Sequence, residues 1–418
     1  MSRADFRQVV YALSDALDLV GVDDVAHGKR VGVMAAECAR GMGLPAAEVH
    51  FLFDLGLLHD IGVSSTADHQ HLVTEFDWAG SQAHAIVGYE MLRDFRPLAD
   101  MALPIRYHHT RWDSLQAQGL DALTCRRANL TLLADRVDAM AAAYYASGKV
   151  LQHRNAIRGE IEARSGSYFD PALVAGFLKV SAHEAFWLNL EPAALNGYLN
   201  DMIAEGSPLV ASQGEMHHLA KIFSTIVDAK SRFTATHSRG VANVARRLGE
   251  LLGLDGSRCD DLEIAGLLHD LGKLRVPDGI LDKPAPLDDD ERMVMNTHSF
   301  GTMQILRKIR GFESIAAWAA NHHEAPGGIG YPSGLDGAAL PVEARILRVA
   351  DIFQAMVQDR PYRDGLSAPL VADFMRNEQQ HGSIDPRIAD LLLANLDEMI
   401  SLARHPAPPS RPTTSIPS

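Results

Sequence analysis

The chain has 418 residues, 47% of them hydrophobic and 22% charged, with a formal net charge of −14. That length allows two or three domains, the composition is that of an ordinary soluble globular protein, and the acidity disfavours a long nucleic acid as partner while allowing a small phosphorylated ligand in a local pocket. No run reaches the roughly 18 apolar residues of a membrane span, and Cys38, Cys125 and Cys259 are too widely spaced for a disulfide framework, so a cytoplasmic protein without a membrane partner is expected.

In chain order, "MSRADFRQVVYALSDALDLV" opens as a charged, amphipathic segment without a signal-peptide core. "HGKRVGVMAAECARGMGL" reads as a helix with His27, Val31, Met34 and Cys38 on one face, stopped by Gly-Leu. A second helix ends in "DLGLLHDIG", which carries His59 and Asp60. The polar stretch "STADHQHLV" reads as a loop in which His69 and His71 are solvated. "SQAHAIVGYEML" then brings His84, "IRYHHTRWDSL" brings His108 and His109, and "LLADRVDAM" brings Asp135.

The same phrases return after residue 205. "HSRGVANVARRLGELLGL" places His237, Val241, Val244 and Leu248 on one face; "IAGLLHDLG" carries His269 and Asp270; "NTHSFGTMQIL" carries His298; "NHHEAPGGIGYPSGLDG" carries His322 and His323; "RVADIFQAM" carries Asp351. The first histidine precedes the His-Asp pair by 32 residues in both copies, and the single histidine precedes the His-His pair by 24 in both. "GSYFDPALVAGFL" is echoed by "GSIDPRIADLLL". The chain is therefore one helical unit written twice. The expected division is a first copy over 1–205, a linker over 206–215, a second copy over 216–402 and a disordered Pro/Ser/Thr-rich tail over 403–418. Few alternating β-branched runs occur, so the expected fold class is all-α, two tandem helical bundles.

Nineteen histidines make an isolated His-Asp or His-His pair uninformative, and His217-His218, which matches nothing in the first copy, reads as an accident. The ordered set is different. Packing alone would accept Leu or Phe at most of these places, and burying so many polar groups is costly unless cations satisfy them. Seven candidate ligands exceed one tetrahedral zinc site. Imidazole mixed with carboxylate, without thiolate, suits a pair of divalent iron or manganese ions, the arrangement used for in-line attack on phosphate esters.

The order His237, "HDLGK" at 269–273, His298, "HHE" at 322–324, "GYP" at 330–332 and Asp351, continued through "DRPYRDGLS", resembles the HD-GYP phosphodiesterases over roughly residues 216–402. The first copy looks like a related HD domain without the GYP signature. The resemblance implies tandem all-helical HD domains, two or three metals, and hydrolysis of a cyclic dinucleotide, cyclic di-GMP or 3′,3′-cyclic GMP-AMP. It implies His237, His269 and Asp351 on one metal, His298, His322 and His323 on the other, and Asp270 as bridge. Lys273, Arg360 and Arg363 would meet phosphate, Tyr331 would sit at the substrate loop, and diguanylate cyclase domains are implied docking partners. Phe233 stands where three-metal members carry a glutamate, so two metals are expected; Gly327 replaces the usual aspartate of the loop.

The glycines of that loop are expected to let backbone approach a bulky dinucleotide, with Pro332 fixing its end. In the first copy His27, His59, Asp60, His84, His108, His109 and Asp135 form a second candidate metal site, with Val63 where the second copy has Lys273. That copy is expected to remove the 5′-phosphate of the linear product, with Arg106, Arg111 or Arg136 supplying charge. The alternatives are a scaffold or sensor role for the first copy, and for the whole chain a non-catalytic cyclic-dinucleotide receptor or protein-docking module.

Overall fold

In the computed structural model the described residues are 5–20, 26–74, 76, 78, 80–206, 210–231, 236–359 and 364–404. They form α-helices joined by turns and short 3₁₀ segments, and among them β-pairing is limited to isolated bridges. The all-α expectation therefore holds. Arg360, Arg363 and Phe233, and tail residues 405–418, lie outside the described residues.

The two copies repeat the same packing. Helix His27–Gly41 lies against helix Ala46–Leu58, and helix His237–Leu251 against helix Gly256–Leu268. The long helix Ala122–Tyr145 covers the first pair, and helix Val342–Val357 covers the second. Helix ends are set locally. Ser212 with Glu215 and Asp288 with Glu291 form capping boxes, and the echoed Asp-Pro dipeptides place Asp170 and Asp385 as N-caps with Pro171 and Pro386 in the first turn. A carboxylate ten residues upstream also recurs: Asp18 accepts from Gly28 N–H and Asp228 from Ser238 N–H, at the start of the first ligand-bearing helix of each copy.

The copies are fused rather than merely tethered. One continuous apolar cluster includes Phe6, Val10 and Leu13 of helix Phe6–Asp18 together with Phe223, Leu271 and Phe353 of the second copy. Helix Phe6–Asp18 packs on helix Asp289–Leu306 and on the 3₁₀ segment Leu271–Arg275, and Asp15 pairs with Lys308 at 2.5 Å. His218, half of the accidental pair, stacks against Phe95 across this junction, while His217 bonds Glu263. The three cysteines are buried and unpaired. No helix among the described residues is long and apolar enough to cross a membrane.

Candidate metal centres

Five of the ligand-bearing histidines are aimed by their own backbone. In the second copy His269, His298 and His322 direct Nδ1 to the carbonyl three residues earlier, that of Gly266, Met295 and Ala319, at 2.6–2.7 Å. In the first, His59 and His108 do the same with Gly56 and Ile105 at 2.8 and 2.7 Å. A carbonyl only accepts, so Nδ1 carries the proton and the Nε2 lone pair faces the centre of the bundle, the tautomer a metal ligand needs. His59, His108, His269 and His322 sit at or beside helix C-termini, where the i−3 carbonyl is spare; His298 makes the same contact from within helix Asp289–Leu306.

The turn after each His-Asp pair must then lie flat on the next ligand helix. A Cβ on Gly272 would stand 2.1 Å from the His298 carbonyl oxygen, and one on Gly62 2.1 Å from that of His84. No other residue type fits, which is why both copies read His-Asp-x-Gly.

In the second copy the expected ligands gather into two overlapping groups. His237, His269 and Asp351 form one; His298, His322 and His323 form the other; within each, the ligand atoms lie within 4.8 Å of one another. Asp270 stands between them. Its Oδ2 is 3.2 Å from His269 Nε2, and its Oδ1 is 3.5 Å from His298 Nε2 and 3.8 Å from His322 Nε2. Lys273 Nζ reaches Asp270 Oδ2 at 2.6 Å, so its ammonium contacts the central carboxylate. His269 Nε2 and Asp270 Oδ1 are buried without hydrogen-bond partners. Orphaned acceptors are rare in protein interiors. Two atoms bound to one ion at roughly 2.0–2.2 Å each would stand about this far apart, so the donors fit divalent transition ions.

The first copy reproduces the arrangement. His27, His59 and Asp135 make one group and Asp60, His84, His108 and His109 the other. Asp60 directs Oδ1 to His84 at 3.1 Å and Oδ2 to His59 at 3.4 Å. His59 Nε2, Asp60 Oδ1 and His109 Nε2 are again orphaned. His27 is held by a group the sequence reading missed: its Nδ1 lies 2.8 Å from Asp138, itself bonded by Arg30 and Tyr145. In the second copy the same nitrogen faces Gln358 at 3.3 Å.

Electrostatics favour the ligating protonation states at most of these groups; at His269 and His27 burial is outweighed by neighbouring carboxylates, Asp270 beside the first and Asp135 and Asp138 beside the second, which raise both imidazoles. Burial lowers His298 to about 4, His323 to about 3 and His59 to about 4. Burial tends to raise the Asp270 and Asp60 carboxyls, yet the neighbouring imidazoles, His269 and His59 foremost, hold both well below the usual carboxylate range. Neutral imidazole and ionised carboxylate are the forms that bind cations.

One expectation needs correction. His69 is not solvated: it lies on helix Thr66–Thr74, 5% exposed, with its ring centroid 6.1 Å from that of His27. The loop glycines serve the loop's own fold first. A Cβ on Gly330 would stand 2.4 Å from the His323 carbonyl oxygen and 2.5 Å from Ala325 N, so Gly330 lies directly on the turn that carries the paired histidines. Glu324, 1% exposed, then ties the loop by accepting from the backbone N–H groups of Ser333 and Leu335. Tyr331 stacks on His323, ring centroids 4.7 Å apart.

An HD domain signature matches residues 221–388 and again residues 25–140. The chain is 37% identical over 410 residues, 96% of its length and 95% of the relative's, to 3′3′-cGAMP-specific phosphodiesterase 1 of Vibrio cholerae. It is 37% identical over 162 residues, 38% of its length and 43% of the relative's, to a cyclic di-GMP phosphodiesterase response regulator of Xanthomonas campestris. A crystal structure of a V. cholerae cyclic GMP-AMP-specific phosphodiesterase superposes with a TM-score of 0.65 at 25% identity, covering 95% of this chain and 98% of that one.

Proposed function

The chain belongs to the HD-domain family of cyclic-dinucleotide phosphodiesterases, and on that premise we propose that its second copy, residues 216–402, opens a cyclic dinucleotide to the linear dinucleotide. 3′,3′-Cyclic GMP-AMP and cyclic di-GMP are the two substrates to test. The former has the better claim, because the relative that matches across both copies is named for it. The observation that carries the reading is Asp270, with one oxygen toward each histidine group and Lys273 on its flank.

When bound, a pair of divalent iron or manganese ions would acidify a water and screen the charge that develops on the phosphoryl oxygens. His237, His269 and Asp351 would hold one, His298, His322 and His323 the other, with Asp270 shared. Lys273 keeps the Asp270 carboxylate in place and adds positive charge beside the reacting phosphate. Tyr331, packed on His323, forms the wall against which the substrate lies. Ile329, 71% exposed at the tip of the same loop, marks the face offered to a diguanylate cyclase domain. Metal-loaded full-length protein, given the two cyclic dinucleotides side by side with products resolved, tests the proposal. Failure to open either ring overturns it.

The first copy, residues 1–205, supports a second activity. Its donors are complete, but it has no Gly-Tyr-Pro loop and has Val63 in place of Lys273. We infer that it removes the 5′-phosphate of the linear product at a second metal pair.

A further inference from the structure

Of the three arginines near the first copy's centre, two are committed elsewhere. Arg136 donates to Asp135 Oδ2 at 2.8 Å and to the carbonyls of Leu72 and Phe76 at 2.9 and 3.2 Å. Arg106 turns to Gln82 and to the ring of Tyr107. Arg111 differs from both. It follows the ligand His109 by two residues, and its guanidinium lies 4.0 Å from the centroid of the Tyr168 ring. Its outer edge is 3.4 Å from exposed Asp113. Its Nε–H, by contrast, is buried and has no hydrogen-bond partner.

Arg111 lines a cavity of about 10 Å³ together with His109, Ser81, Trp78 and Tyr168. That volume accommodates one oxygen atom. The Arg111 side chain is 42% exposed as a whole, but its covered Nε–H lacks a partner, which is costly, and a guanidinium matches the geometry of phosphoryl oxygens. The second copy has no counterpart: two residues after His323 stands Ala325, and Tyr331 packs on the histidine instead.

We propose that this cavity is an oxyanion subsite of the first copy's centre, in which Arg111 binds a non-bridging oxygen of the terminal phosphoryl group of a nucleotide monoester. The proposal rests on the reading of the first copy as a phosphomonoesterase, and it names a residue by which that copy would hold the terminal phosphate.

The test titrates inorganic phosphate into metal-loaded full-length protein carrying Asp270→Ala, which silences the second copy, with and without Arg111→Gln and Arg111→Lys. Binding is followed by calorimetry. The turn itself stands without the side chain, because Trp112 N–H and Asp113 N–H bond the carbonyls of Tyr168 and Ser167 at 3.0 Å, and metal content serves as the check on folding. Loss of one charge-assisted hydrogen bond weakens phosphate binding roughly 10- to 100-fold in Arg111→Gln, with partial retention in Arg111→Lys. For the 5′-phosphorylated linear dinucleotide the same change raises KM more than it lowers kcat. Phosphate affinity equal in all three proteins overturns the subsite while leaving phosphomonoesterase activity to be judged by its own assay. Phosphate binding that depends on Arg111 in a protein without that activity keeps the subsite and removes the trimming reading.

Discussion

Lys230 hydrogen-bonds Thr66 across the junction of the two copies, Nζ to Oγ1 at 3.0 Å. The same ammonium lies 3.0 Å from Asp278, whose carboxylate also accepts from the Thr66 backbone N–H and the Ser65 hydroxyl. Thr66 opens the helix after the turn that leaves Asp60, and Asp278 follows the turn that leaves Asp270, so one buried side chain ties together the segments downstream of both His-Asp pairs. Lys230→Met leaves Asp278 without its cation. Because that carboxylate is 30% exposed, the expected loss is about 2 kcal/mol rather than the 3–5 of a fully buried pair. Urea unfolding measures it; a change within roughly 0.5 kcal/mol would show that the tie contributes little.

Asp270→Ala abolishes cleavage of the cyclic dinucleotide and lowers metal content, because the carboxylate that directs one oxygen to each histidine group is lost. Lys273→Ala slows turnover about 100-fold, the size expected for one electrostatic contact to a reacting phosphate, and keeps most of the metal. Elemental analysis beside a turnover assay separates the two. Metal loss in Lys273→Ala would mean that the lysine acts through Asp270 alone.

Asp60→Ala leaves ring opening at the wild-type rate and makes the 5′-phosphorylated linear dinucleotide accumulate. Chromatography of the products over time reads this directly. Identical product patterns would reduce the first copy to a scaffold.

Gly330→Ala places a methyl group 2.4 Å from the His323 carbonyl oxygen and 2.5 Å from Glu324 Cα. Backbone on both sides cannot yield cheaply, so the loop lifts from the histidine turn and Tyr331 loses its stack. The expected result is a rise in KM for the cyclic dinucleotide of about tenfold or more, the cost of a misplaced substrate wall. An unchanged KM would place substrate recognition elsewhere.

Asp54, on helix Ala46–Leu58, supplies a further pH dependence. Burial raises its carboxyl to about 6, with Arg7, 3.4 Å away, acting in the opposite direction. Unfolded, it titrates near 3.9. Between about pH 4 and pH 6 the native state therefore holds the extra proton, and this group's contribution to stability falls as pH rises. Asp54→Asn flattens that fall, by about 2–3 kcal/mol at most across the window. Thermal unfolding of both proteins at pH 4.5 and 7 checks it; parallel curves would refute the assignment.

The glycines and the carboxylates Asp18, Asp138 and Asp228 show how far the sequence could be read. His-Asp-x-Gly was visible in both copies, yet the reason for its glycine, contact with the carbonyls of His84 and His298, needs two helices in place. The upstream Asp18 and Asp228 were available as a repeated ten-residue spacing before the first helix and went unused. Asp138 and Gln358, which orient His27 and His237, break the repeat and left no signal in the spacing.

What the sequence determined by itself is the periodic part: helices throughout, a duplicated unit, and an ordered ligand set with two of its spacings repeated. Helical periodicity and chain spacing are local, and they say which side chains share a face. Tertiary packing decided the rest. It grouped His237 with Asp351 and His298 with His322 around a central Asp270, buried His69 beside His27, and left Arg111 rather than Arg106 or Arg136 with an unspent donor. It also joined the two copies through one core and through Lys230. These outcomes depend on contacts between residues far apart in the chain, whose geometry follows from how whole helices pack and not from any local pattern.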